Sequence, residues 1–159
     1  MLAGLLIALA SVSNAVARPN GRLLPPDGEP VYARIDANVA RHGWACVFVA
    51  DDEGKAGWAD TVGLSAKNVP ELLIDSNDDE DAQCAMLNLV ARKLIAHHAR
   101  VPDGYKPLGP KAVRLNKVYS NEFFDRCVLA GVWAIRHHTT GTLLGMQIVF
   151  PDEHGRFPD

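Results

Sequence analysis

Apolar side chains fall at helical spacing early in the chain, at Val31, Ile35 and Val39, and Gly43 follows as a left-handed stop. From Trp44 to Ala50 the run is almost continuously apolar, which predicts a strand in the interior of a sheet. Asp51-Asp52-Glu53-Gly54 reads as a turn, and Trp58 to Leu64 as the strand that returns from it. Trp44 opens its strand directly after the helix stop, so its ring is expected between that helix and the sheet. Leu72 to Ile74 predicts a short third strand.

The longest periodic stretch covers residues 78–99. Leu87, Val90, Ala91, Leu94 and Ile95 form one apolar stripe there. Ser76 and Asp79 suit its start, Asp78 and Glu80 favour the positive end of the dipole, and His97, His98 and Arg100 the negative end. Residues 101–111 read as a Pro/Gly loop. Val113 and Leu115 alternate within a strand predicted for Ala112 to Tyr119. Ser120 caps a helix from Asn121 to about Ala134, and Thr142 to Phe150 is the last strand. The element order predicts a single α+β domain over residues 31–159. It is a mostly antiparallel sheet of about five strands with two or three helices packed on it.

The two ends of the chain read differently from its middle. Met1 to Ala17 contains no charged side chain, Leu2 to Val12 is apolar, and Ala15-Val16-Ala17 has the small-x-small pattern of a cleavage site. Residues 1–17 are therefore read as a signal peptide, and residues 18–30, rich in Pro and Gly, as a linker. The apolar run is too short for a stable membrane span, which needs about twenty residues. Export to the periplasm or outside is favoured over a cytoplasmic location. The cysteines pull the other way: Cys46 lies mid-strand, Cys84 and Cys127 lie on predicted helices, and three in apolar settings read as buried thiols.

Composition narrows the function classes. Across 159 residues, 48% are hydrophobic and 22% charged, as in an ordinary globular domain. A net charge of −3, without a Lys/Arg cluster among aromatics, argues against a nucleic-acid partner. No Gly-x-Ser-x-Gly elbow, phosphate-binding Gly loop or metal-ligand spacing occurs, and the adjacent pairs His97-His98 and His137-His138 point about 100° apart on a helix. No metal is expected, and no cofactor is specified.

Two groups of residues are candidates for a ligand site. Asp60, Thr61 and Gly63 end a strand beside Glu71, where Gly63 would let a ligand approach the backbone; the plainer alternative is a β-former followed by a bulge. Gln147 sits in the last apolar strand, and Asp152 and Arg156 bracket a turn after it. Arg156 can grip a carboxylate or phosphate, or pair with Asp152 to close its own turn.

Several segments together carry a resemblance. They are Gly43-Trp44, Thr61-Val62-Gly63-Leu64, Pro70-Glu71-Leu72, Leu87-Asn88 and Gln147 followed by Pro151-Asp152-Glu153-His154-Gly155-Arg156-Phe157-Pro158. In this order, over roughly residues 35–159, the chain resembles the bacterial domain-of-unknown-function family 4262. The family pattern has Tyr before the Thr and His before Pro-Glu-Leu, where this chain has Asp60 and Val69. The resemblance implies no substrate. The residues favour a module that binds a small ligand or a protein. The alternatives are a small flavin-using enzyme, suggested by tryptophan near Thr-x-Gly, and a purely structural or interaction domain.

Overall fold

The computed structural model describes residues 29–50, 57–98, 100–101, 104–108, 111–118, 127–137 and 144–158. The leader-like run, most of the linker and the Asp51–Gly54 turn lie outside these residues. In chain order the elements are α1 (Glu29–His42), β1 (Ala45–Val49), β2 (Trp58–Val62), a 3-10 turn (Leu64–Lys67) and β3 (Glu71–Asp75). They continue with α2 (Glu80–Ala96), β4 (Tyr105–Leu108), β5 (Lys111–Val118), α3 (Val128–Arg136) and β6 (Gly145–Val149).

The six strands form one sheet in the order β1-β2-β3-β6-β5-β4. Every neighbouring pair is antiparallel except β3 and β6, which run parallel, so the sheet is mixed. A parallel pair needs a long crossover, and here α2, β4, β5 and α3 all lie between its two strands. The domain is α+β, as the element order predicts, with one more strand than expected. That strand, β4, falls in the segment read as a Pro/Gly loop; Pro107 sits in it, which an edge strand tolerates.

Alternation along the strands divides the core in two. Cys46, Ala59, Leu72, Ile74, Val113 and Ile148 face α2, whose Leu87, Val90, Ala91 and Leu94 are fully buried against them. Ala45, Val47, Val62, Leu73 and Val118 face the opposite side, where Tyr32 and Ile35 of α1 and Ala130 and Trp133 of α3 cover them. Asp79 caps α2 by accepting a hydrogen bond from the Ala82 amide at 2.9 Å, so the expected helix is real but spans 80–96. Gln83, one turn inside α2, donates its amide to the carbonyls of Gly57, Ser76 and Asp78 and so ties the start of the helix to the start of β2.

Three expectations are corrected. Glu29 and Pro30, assigned to the linker, belong to the first turn of α1, where proline's fixed φ is already helical. Trp44 does not lie between α1 and the sheet. It packs toward the α2 side, and its Nε1 donates to Asn88 Oδ1 at 2.8 Å. Cys46 and Cys84 are not free thiols: they form a disulfide that joins β1 to α2, and Cys127 alone remains free and buried. Thirty-eight residues separate the pair in sequence, so only packing of α2 on β1 brings them together. Closing a loop of that size removes about 3–4 kcal/mol of chain entropy from the unfolded state.

Gly57 enters β2 where a side chain has no room. A Cβ there would lie 1.9 Å from the Val49 carbonyl oxygen and 2.9 Å from Ala50 Cα. Both are backbone atoms, so a strand must move. We predict that Gly57→Ala destabilises the domain by at least about 2 kcal/mol, the range of severe overpacking. Urea unfolding checks this, and a loss below about 0.5 kcal/mol would show that the strands move apart freely.

Candidate functional site

Thr61, Gly63 and Glu71 come together around one buried carboxylate. Glu71 opens β3 with no solvent exposure. Its Oε1 accepts the backbone amides of Gly63 and Ser65, each at 2.9 Å, and its Oε2 accepts the Thr61 hydroxyl at 2.8 Å. The Thr61 oxygen in turn accepts the Leu72 amide at 2.8 Å, where the β2–β3 ladder has ended. Gly63 has φ of 107°, and a Cβ on it would meet the Val39 side chain of α1 at 2.9 Å. Two constraints, the backbone conformation and the nearby helix, thus require glycine there. The donors that the sequence offers to a ligand at this strand end are taken by Glu71 itself.

Asp60 lies on β2 opposite Val47 and Leu73, on the face covered by α1 and α3. It is 1% exposed, and its Oδ2 has no hydrogen-bond partner among the described residues. Burial pushes its carboxyl well above the usual carboxylate range, and the nearby Glu71 charge adds to the rise, against a hydrogen bond from the Cys127 thiol. Burial raises Glu71 too, but hydrogen bonds from Ser65, Thr61 and Gly63 oppose it. Three donors on one acid and a lone thiol on the other assign the charge to Glu71 and the proton to Asp60. Val69, at the other position that departs from the family pattern, is a buried member of the α2-side core.

The C-terminal residues fall into two places. Asp152 and Arg156 close their own turn. Asp152 Oδ1 accepts the amides of His154 and Arg156, its Oδ2 accepts Arg156 Nε at 3.2 Å, and its backbone amide donates to the Arg156 carbonyl. The Arg156 side chain is largely exposed and that of Asp152 partly so. Gln147 is elsewhere, in the middle of β6, paired with Leu73 on one side and Asn116 on the other.

Register places Gln147 in line with the first group. Across the α1/α3 face of the sheet, Val47, Asp60, Leu73, Gln147 and Asn116 form one row over five strands. Beside Asn116 on the same face is Arg114, whose Nε donates to Asn116 Oδ1 at 3.0 Å. Its guanidinium also donates to the Pro158 carbonyl and lies 5.2 Å from the centre of the Phe157 ring. Among the described residues, α1 packs on β1 and α3 on β2. Arg114, Asn116 and Gln147 lie on the same face and are each half-buried. Sequence reading missed Arg114 and Asn116. The signal was their alternation with Val113 and Leu115, which put two polar residues on one face of a strand.

Other groupings are weaker candidates. Asp36 Oδ1 accepts Trp133 Nε1 at 2.7 Å and contacts His137 Nε2 at 2.9 Å, tying α1 to α3 at the surface. Trp44, Trp133 and Phe157 are each engaged with a partner in the fold. Among the described residues no three of His, Cys, Asp and Glu converge to hold a metal, and no helix is long and apolar enough to cross a membrane.

A family model described as Domain of unknown function (DUF4262) matches residues 38–159. No curated protein and no solved structure matches the chain.

Two outcomes test this geometry. Asp60 has its folded pKa above the ordinary 3.8, so folding favours its protonated form. Its contribution is complete below about pH 4 and is lost as pH rises toward the folded value. Asp60→Asn cannot ionise, so its stability relative to wild type should rise with pH between acid and neutral conditions. Unfolding curves that stay parallel across that range would show that Asp60 does not carry the effect. In the tail, Asp152→Ala removes an acceptor for two amides and should cost about 1–2 kcal/mol. Arg156→Lys keeps the charge of an exposed pair and should change stability by less than about 1 kcal/mol. Equal losses in the two variants would mean that the guanidinium, and not the Asp152 acceptor, holds the turn.

Proposed function

The chain belongs to the DUF4262 family of domains, and we propose that it is a binding module that holds a small polar molecule with an anionic group on the β6–β5 part of its sheet. One observation carries the reading. Gln147 lies half-buried in a sheet face, and its amide makes no hydrogen bond among the described residues. The other polar residues of the family-like segments are engaged in fold contacts: Asn88 with Trp44, Thr61 with Glu71, and Asp152 with Arg156.

The neighbours of Gln147 suit such a ligand. An amide supplies both donor and acceptor, and the adjacent Asn116 adds a second amide that Arg114 already orients. Arg114 brings a planar guanidinium to the same face, and its partners among the described residues are neutral oxygens, Asn116 Oδ1 and the Pro158 carbonyl. Its positive charge therefore favours a carboxylate or phosphate on the ligand. Phe157 flanks the guanidinium and supplies an apolar edge. Asp60, the neutral acid, lies in the same row, and Leu73 alone separates it from Gln147. No reaction is assigned, because among the described residues no group on this surface is placed to act as a nucleophile or base.

Protein isolated gently from its own host and weighed under native conditions should carry a small-molecule adduct. Gln147→Leu and Arg114→Met should each lose it, whereas Arg156→Lys should keep it. Gln147→Leu should stay within about 1 kcal/mol of wild-type stability, since a half-exposed amide is replaced by a side chain of similar size. A wild-type protein without adduct, whose melting temperature also fails to move with a panel of carboxylates and phosphate esters, would sink the reading.

A further inference from the structure

We infer that the Cys46–Cys84 disulfide is installed on the unfolded chain by a thiol–disulfide oxidoreductase, and that this domain therefore matures in an oxidising compartment. The positions of the three cysteines point to this independently of the ligand site. Cys46 is 4% exposed and Cys84 5% exposed, and both belong to the core cluster between α2 and the sheet. A bond exchanged by thiolate attack needs an open line to a sulfur atom. In the closed core neither sulfur offers one, so the pair must be joined before α2 settles on β1 and β2.

The third cysteine is kept apart by the sheet. Cys127 is buried in the cluster on the opposite face, against Asp60, and remains a free thiol. Side chains on opposite faces of a sheet cannot meet, so the native fold admits one pairing. Chain order favours the same pairing. Cys46 and Cys84, separated by 38 residues, both emerge before Cys127.

The chemistry balances in two exchanges. The thiolate of one cysteine attacks the disulfide of the oxidoreductase, giving a mixed disulfide and releasing one oxidoreductase thiolate. The second cysteine's thiolate attacks the mixed disulfide, the Cys46–Cys84 bond forms, and the oxidoreductase leaves as its dithiol. Two electrons pass from the substrate pair to the catalyst, and the two thiol protons go to solvent and to the departing thiolates. Such catalysts work in oxidising compartments, whereas the cytosol keeps thiols reduced. The inference thus supports the exported location over the cytoplasmic one, from evidence independent of the uncharged residues 1–17.

The test uses the full chain in its own host. Cells are quenched in acid and the protein is alkylated in denaturant, with and without prior reduction. The expected mass shift is one adduct without reduction, mapped to Cys127, and three after it. Three adducts before reduction, or a single adduct at Cys46 or Cys84, would overturn the inference. A second measurement probes burial directly. Reductant should open the bond in the folded protein on the order of a hundredfold more slowly than in urea, because the closed core must open first. Equal rates would remove the reason for placing oxidation before folding.

Discussion

A single buried carboxylate, Glu71, organises the centre of this domain. The chain must leave β2, pass through one tight 3-10 turn and enter β3 beside it. That reversal exposes backbone amides at Gly63 and Ser65 in the interior, where unpaired donors cost about 1–3 kcal/mol each. Glu71 accepts both with one oxygen and the Thr61 hydroxyl with the other. The position of β3 follows from this cage, and β3 is the strand on which β6 adds in parallel. The two halves of the sheet therefore meet at a strand whose entry is held by a side chain.

The cage also accounts for the neighbouring acid. With the charge of Glu71 fixed by three donors, a second charge at Asp60 would face it in a dry setting, so Asp60 keeps its proton. A neutral acid on the α1/α3 face is then compatible with an otherwise apolar cluster of Val47, Val62, Leu73 and Trp133. Charge, burial and strand order are linked at this point. The same row across the sheet leads from Asp60 to the half-buried amides of Gln147 and Asn116.

The family-like segments gain a physical meaning from these contacts. The Gly-Trp at residues 43 and 44 and the Leu-Asn at 87 and 88 meet through the Trp44–Asn88 hydrogen bond, which joins the start of β1 to α2. Thr-x-Gly and Pro-Glu-Leu meet at Glu71. The Asp152–Arg156 turn closes itself and sends Phe157 and Pro158 back over Arg114. Most of these residues thus serve the fold, and Gln147 stands apart from them.

Local pattern by itself determined most of the elements. The α2 stripe, the apolar run of β1, the alternation in β5 and the glycine stop of α1 are set by side-chain period and backbone preference, which act over a few residues. The same reasoning identified Thr61, Gly63, Glu71 and Gln147 as unusual, because polar groups and glycine in apolar strands stand out in any context. Only the tertiary structure decided what they do. Glu71 takes Thr61 and Gly63 as its own partners because the 3-10 turn brings them within 3 Å. The edge strand β4 was illegible, since Pro107 and the glycines around it mimic a loop until β5 supplies a partner. The disulfide was hidden for the same reason. Nothing local marks Cys46 and Cys84 as a pair, and it is the packing of α2 across β1 that brings their Cα atoms to 5.9 Å while the sheet holds Cys127 on its other side.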